Sequence, residues 1–346
     1  MRTKVPYGES FLEFEIPDSQ YMDYKAPETT LEGEVLEPED IVKNAMANPI
    51  GTSSLFEIAK GKKTAAIIIS DYTRPTPSAF LLPFVIEELT KGGISQDNIT
   101  IVTASGLHDP SPDEDLQRML GQYYGVIRTI NHNADDEEHL VYLGETSRKT
   151  PIYLNKYVVE ADVKVSIGCI EPHHSAGWSG GSKNVLPGIA GRKTIYHHHA
   201  LSHQPGVELG KVRGNPFRED LDETGVKLGV DFILNVILNE KKEIIAAFAG
   251  DLLKAHAAGV AKARSLLEVK INERPDIVIV TPGGTPRDSN FWQAEGKALT
   301  RIKHVVKPGG TVILVAKGQE GIGKKEFADI LVSYSYEEII RNFKEQ

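Results

Sequence analysis

Cysteine is almost absent. Cys169 stands alone, so no intrachain disulfide can form, and a reducing, cytoplasmic setting is the simplest expectation. Basic residues are the minority charge. There are 39 Lys and Arg against 48 Asp and Glu, a net charge of −9, where a nucleic-acid binder would present a basic face. A small anionic substrate stays open, because one well-placed Arg or Lys dominates its local field. No run approaches the roughly 18 apolar residues of a membrane span, so no membrane partner is expected. The N-terminal stretch MRTKVPYGESFLEFEIPDSQ lacks the unbroken apolar segment of a signal peptide. Internal repeats are missing, and the single biased tract is rich in histidine. What remains is ordinary globular composition, 40% hydrophobic and 25% charged, which excludes disorder and collagen-like repeats. A chain of 346 residues is long enough for about two domains that bury their own cores.

Short β-branched runs recur along the chain: Thr64–Ser70, Ile99–Ala104, Asp162–Gly168, Asp276–Thr281 and Thr311–Ala316. Continuous apolar runs of this length suit strands buried on both faces of a parallel sheet. Helical patterns separate several of them, at about Ser78–Lys91, Asp113–Leu120, Asp251–Glu268 and Gln293–Val306. Pro83 is expected to kink the first of these or delay its start. Asp231–Asn239 and Glu243–Ala249 read as a hairpin. Alternation of strand and helix predicts an α/β protein of two domains with mainly parallel sheets, its site at the strand carboxyl ends and the domain interface. The expected boundary lies near the NERP segment, giving a large domain over 1–270 and a smaller α/β domain over 271–346. The latter shows two clear strands and is expected to be short.

Polar residues collect just after the strands. IIIS is followed by Asp71-Tyr72-Thr73-Arg74-Pro75, and IVTASG by Leu107-His108-Asp109. VSIG is followed by Cys169-Ile170-Glu171-Pro172-His173-His174 and then Gly177-Trp178-Ser179-Gly180-Gly181-Ser182-Lys183. In open α/β sheets ligands bind beyond the carboxyl ends of strands, so these segments are expected to share one site. Arg74 suits a carboxylate clamp or a plain surface charge. His108 reads as an acid/base group or a structural ring. Cys169 reads as a buried thiol or, less simply, a nucleophile.

Six of the eleven histidines fall between His173 and His203: His173, His174, His197, His198, His199 and His203. No HExxH or paired CxxC accompanies them, so the common zinc signatures are missing. Successive residues of a helix point in different directions, so at most one or two of His197–His199 can reach a given site. GWSGGSK resembles a phosphate loop but lacks the Gly-Lys-Ser/Thr order. It remains either a plain glycine turn or an anion cradle built from the N–H groups of Gly180, Gly181 and Ser182 with the charge of Lys183. No GxGxxG follows a strand, so a nicotinamide dinucleotide fold is not signalled.

Taken together, DYTRP, Gly106-Leu107-His108 and EPHHSAGWSGGSKNVLPGIAGRKTIYHHHAL resemble the nickel-dependent lactate racemase family. The resemblance runs from DYTRPTP through NFWQAEGKAL, most of the chain. Lys183 lies ten positions after His173 and His199 sixteen after Lys183, spacings similar to the family's catalytic His, cofactor lysine and metal-binding His.

The resemblance implies a nickel pincer nucleotide, a pyridinium mononucleotide (the 3,5-bisthiocarboxylic acid) that holds nickel through carbon and two sulfurs, supplied by cofactor biosynthesis enzymes. His199 would be the protein ligand to nickel. Asp71, Gly180, Gly181, Ser182 and Lys183 would bind the nucleotide, Lys183 covalently in some relatives. His108 and His173 would be the acid/base pair, and Arg74, Gln293 and Lys297 the substrate-binding residues. The implied reaction is racemisation or epimerisation of a 2-hydroxy acid by reversible hydride transfer. Two other readings are a metal-dependent hydrolase or lyase using the histidine cluster, and a non-catalytic nickel or cofactor carrier.

Overall fold

The computed structural model describes residues 1–22, 36–302 and 305–344. The chain forms two compact units. One comprises Ala26–Glu268, the other Met1–Lys25 with Val269–Gln346.

The larger unit is built on a six-stranded sheet. Its order is Ile244–Gly250, Phe232–Leu238, Val163–Cys169, Ala65–Ser70, Ile99–Ala104, Arg128–Asn131. All neighbours are parallel except the edge hairpin formed by Phe232–Leu238 and Ile244–Gly250. The β-branched runs expected as strands are therefore strands. Ala65–Ser70 is buried at every position, as a strand covered on both faces must be. Its side chains alternate between two cores. Ile67 and Ile69 join one, lined by Leu81, Val85 and Leu89 of the helix Ser78–Lys91. Ala66 and Ile68 join the other, lined by Leu186, Ile189, Ile195 and Phe217. Pro83 lies within the helix Ser78–Lys91 and does not delay its start.

Two helices of the second face carry site residues and escaped the sequence reading. Arg192–Ala200 holds the histidine triplet. Pro216–Leu228 begins at Asn215, whose Oδ1 accepts from the N–H groups of Phe217 and Arg218.

The smaller unit contains a two-stranded parallel sheet, Ile277–Val280 with Thr311–Leu314. It also holds helices Phe291–Ile302, Lys325–Ser333 and Tyr336–Lys344. The expected helical stretch to Val306 runs through positions 303–304, which lie outside the described residues. The first 25 residues depart from the expected division. Their hairpin, Arg2–Tyr7 with Ser10–Glu15, groups with the C-terminal segment rather than the N-terminal domain. The reason is specific bonding at its turn. The Gly8 N–H donates to Asp288 Oδ2 at 2.8 Å, Thr285 N–H donates to Gly8 O at 2.9 Å, and Thr281 Oγ1 donates to Pro6 O at 2.9 Å. No helix among the described residues is long and apolar enough to cross a membrane.

Ile67 has no solvent exposure and sits mid-sheet. Ile67→Ala is expected to lower unfolding free energy by about 2–5 kcal/mol. Urea titration of the two proteins measures it, and a loss below ~1 kcal/mol would contradict the assigned core position.

Candidate active site

The chain builds strands outward from Ala65–Ser70 to Ile99–Ala104 and Arg128–Asn131, then returns to place Val163–Cys169 on the opposite side. Such a reversal opens a crevice at the strand carboxyl ends. Asn184 bridges it. Its Oδ1 accepts from Ser70 Oγ at 3.3 Å, and its Nδ2 donates to Ser166 Oγ at 3.2 Å and to the Ile167 carbonyl at 2.7 Å. The preceding residue, Lys183, is thereby fixed at the reversal.

The turn before Lys183 requires glycine. Gly180 and Gly181 have φ of 77° and 57°, the left-handed region. A Cβ at Gly181 would lie 2.8 Å from Arg218 Nη2. The Gly181 N–H donates to Asn235 Oδ1 at 2.8 Å, so it is used internally and is not part of an anion cradle. Behind the turn lies Arg218, 1% exposed, which donates through Nε and Nη2 to both oxygens of Asp222 at 2.8 Å. Ser182 Oγ shares Asp222 Oδ1 at 2.8 Å.

Burial, reinforced by the charges of Arg74 and Arg218, pushes the Lys183 ammonium down to about 7. The free amine is therefore favoured at this lysine far more than at an exposed one. Asp71 belongs to the same field. Burial opposes its ionisation, but His108, Arg74 and the Thr73 hydroxyl outweigh that and hold its carboxyl below the ordinary value. Arg74 stands in a turn closed by its N–H to the Asp71 carbonyl, 3.1 Å.

The histidines fall into three kinds by partner: carboxylate, backbone amide and backbone carbonyl. His108 Nδ1 hydrogen-bonds Asp71 Oδ2, and Thr73 Oγ1 donates to Asp71 Oδ1 at 2.9 Å. Asp71, expected on the nucleotide, has its carboxylate engaged by His108 and Thr73. His173 Nδ1 accepts from the backbone N–H groups of Ser175 at 3.2 Å and Ala176 at 3.1 Å. Its ring stacks on His174 with centroids 4.5 Å apart. His198 is fully buried and donates from Nδ1 to Asp220 Oδ2 at 2.8 Å. Asp220 also accepts from Thr146 at 2.5 Å and Thr150 at 2.9 Å. His199 donates from Nδ1 to the Ile195 carbonyl at 2.8 Å. Packing around its ring, with the charges of His198 and Lys183, holds His199 below the ordinary imidazole range, although the residue as a whole is exposed. A neutral ring with its proton on Nδ1 has its lone pair on Nε2, the form a metal takes. His197 is exposed on the same helix.

Residues 7–210 match the model of the lactate racemase N-terminal domain, and residues 270–345 that of the lactate racemase C-terminal domain. The lactate racemase of Thermoanaerobacterium thermosaccharolyticum is 35% identical over 328 residues, 94% of this chain and 76% of that one. The lactate racemase of Lactiplantibacillus plantarum is 35% identical over 327 residues, 93% and 76% of the two chains. The chain belongs to the lactate racemase family. Its fold agrees: the apoprotein structure of the Thermoanaerobacterium enzyme superimposes with a TM-score of 0.90 at 32% identity, covering 100% of this chain and 82% of that one. Lactate racemases are isomerases, the enzyme class expected from the sequence.

Within this family member, Asp71, Arg74, His108, Lys183 and His199 all lie in the larger unit. Direct bonds and mutual charge effects connect Asp71 with Arg74 and His108, and Lys183 with Arg74, Asp71 and His199. His173 joins through His174, whose charge also acts on His199. Gln293 and Lys297 lie in the smaller unit, one turn apart on the helix Phe291–Ile302 and so on one face of it. Cys169 is 5% exposed within the sheet core, which makes it a packing residue. Arg218, Asp220, Asp222 and Asn184 were missed. Arg218, Asp220 and Asp222 sit in no motif, and a buried carboxylate 22 positions from its histidine, on another helix, leaves no local signature; Asn184 falls inside the GWSGGSKN stretch, where nothing marks it as a bridge.

At pH 7.5 Lys183 is expected to react with acetic anhydride well ahead of the surface lysines, with a rate that rises through a midpoint near 7. Competitive labelling read by peptide mass spectrometry gives that midpoint. A midpoint above 10 would overturn the shift.

Proposed function

We propose that this chain interconverts the enantiomers of a 2-hydroxy acid, with lactate as the first substrate to test, on a nickel pincer nucleotide delivered by cofactor biosynthesis enzymes in a cytoplasmic setting. The observation that carries the reading is a carboxylate-anchored histidine, His108, in one charge network with a lysine near pKa 7.

The residues present fit the group. His199 would offer Nε2 to nickel, since its Nδ1 proton is taken by the Ile195 carbonyl. One imidazole beside sulfur and carbon donors would suit nickel. Lys183 would hold the nucleotide, and the substitution-intolerant turn at Gly180 and Gly181 brings backbone close beside it. A zinc-type hydrolase would need about three converging protein ligands. No such group of His, Cys, Asp and Glu occurs among the described residues, and His173, His198 and His199 are each turned to a separate partner.

The hydrogen on C2 of a 2-hydroxy acid is a very weak acid, so inversion is easier through a planar 2-keto acid than through a carbanion. When bound, the nucleotide supplies the reversible hydride acceptor. The protein holds the substrate and handles the proton. Arg74 would clamp the carboxylate through its planar fork. His108 would take the hydroxyl proton at Nε2, and the Asp71 carboxylate would steady the resulting imidazolium. His173 would serve the opposite face of the carbinol. Gln293 and Lys297 would contact the substrate as the family resemblance implies.

Co-expression with the cofactor biosynthesis enzymes should give near-stoichiometric nickel by elemental analysis and racemisation of L-lactate on chiral chromatography. His199→Ala should lose the nickel. His108→Ala and His173→Ala should keep it while racemisation falls about 10²–10⁴-fold. Full nickel in His199→Ala would falsify the ligand assignment.

A further inference from the structure

We infer that His108 and His173 are held in opposite tautomers, so that one Nε2 is built to accept a proton and the other to carry one, and that Asp71 is the positioning residue for the first. The geometry stands by itself; its catalytic meaning rests on the racemase reading above.

His108 faces a carboxylate. Asp71 is 3% exposed, and its other oxygen already accepts from Thr73. An ionised carboxylate only accepts, so His108 must present N–H at Nδ1. The neutral ring then has its lone pair on Nε2. His173 faces the reverse situation. Two backbone N–H groups, from Ser175 and Ala176, converge on its Nδ1 at 3.2 and 3.1 Å. Backbone N–H groups only donate, so this Nδ1 must hold the lone pair and the neutral ring carries its proton on Nε2. Protonating Nδ1 would set one N–H against two others.

The turn that fixes His173 has little freedom. Asn215 Nδ2 donates to the Ser175 carbonyl at 2.8 Å. Gly177 pairs back to His173, and a Cβ at Gly177 would lie 2.0 Å from the Lys211 carbonyl oxygen. The ring is also stacked on His174. For His173 to accept a proton at Nε2, the proton already there must leave and Nδ1 must take one up, which gives up both backbone donors.

On this assignment His108 Nε2 offers the lone pair that takes a hydroxyl proton. The substrate O–H bond breaks, an N–H bond forms at His108 Nε2, and the Nδ1 proton stays on the Asp71 side. His173 meets the substrate as an N–H donor. The two enantiomers thus start from unequal ground, although their kcat/KM ratios must remain equal because their free energies are equal.

The test uses the full chain with histidines labelled by ¹⁵N. Long-range ¹H–¹⁵N spectra at pH 8 distinguish the tautomers, and His108→Gln and His173→Gln spectra assign the two rings. The expected result is Nδ1–H for His108 and Nε2–H for His173. Finding the same tautomer in both overturns the proposal. Asp71→Asn supplies the second measurement. Thr73 donates to the oxygen, which turns the amide NH₂ toward His108 and forces its proton onto Nε2, the logic by which an Asp→Asn change disables other Asp–His pairs. The His108 tautomer should reverse. In nickel-loaded protein, kcat for D- and L-lactate should fall about 10²–10⁴-fold with KM changed less than about threefold. An unchanged tautomer with unchanged kcat also overturns it. If nickel-loaded wild type fails to racemise lactate, the functional reading fails, while the spectra still decide the tautomers.

Discussion

A guanidinium that sees no water must find every partner inside the protein, and Arg218 does so. It pairs with both oxygens of Asp222, donates to the Trp178 carbonyl, and meets His256 Nδ1 at 3.1 Å. Removing one partner from a buried pair of this kind leaves an uncompensated charge and costs about 3–5 kcal/mol. The site depends on this anchor. Gly181 must lack a side chain because Arg218 lies against it, Ser182 shares its carboxylate, and Lys183 follows directly. Burial depresses the lysine beside it, and the charges of Arg74 and then Arg218 add to that.

The histidines show the complementary principle. Imidazole has two nitrogens, and the group bonded to one decides what the other offers. Here carboxylates face His108 and His198, a helix carbonyl faces His199, and backbone amides face His173. Clustered histidines are thus differentiated by second partners rather than by position in the sequence. His198, adjacent to His199, is turned into a carboxylate–hydroxyl cluster of Asp220, Thr146 and Thr150.

The strands were legible because burial on both faces demands uninterrupted β-branched runs, as in Ala65–Ser70 and Ile99–Ala104. The site segments were legible for a topological reason: their residues follow those strands. The resemblance, not the pattern, carried the cofactor and the individual roles. The helix Pro216–Leu228 was not legible. It buries Arg218, Asp220 and Thr224 alongside Phe217 and Leu221, so its inward face reads as polar and the apolar period is blurred. The edge strand Arg128–Asn131 is four residues long and only partly buried, too weak a signal to separate from a loop. The partner of His108 was equally hidden, since Asp71 lies 37 positions away on another strand end.

The N-terminal hairpin has a consequence in time. The Gly8 N–H and the carboxylate of Asp288 are 280 positions apart. A ribosome adding about 5–20 residues per second needs roughly 15–60 s to cover that distance. During that interval Ala26–Glu268 is synthesised, and the hairpin made first has to wait for the segment it joins. The two segments of the smaller unit are thus made at well-separated times, with the whole of the larger unit between them in sequence.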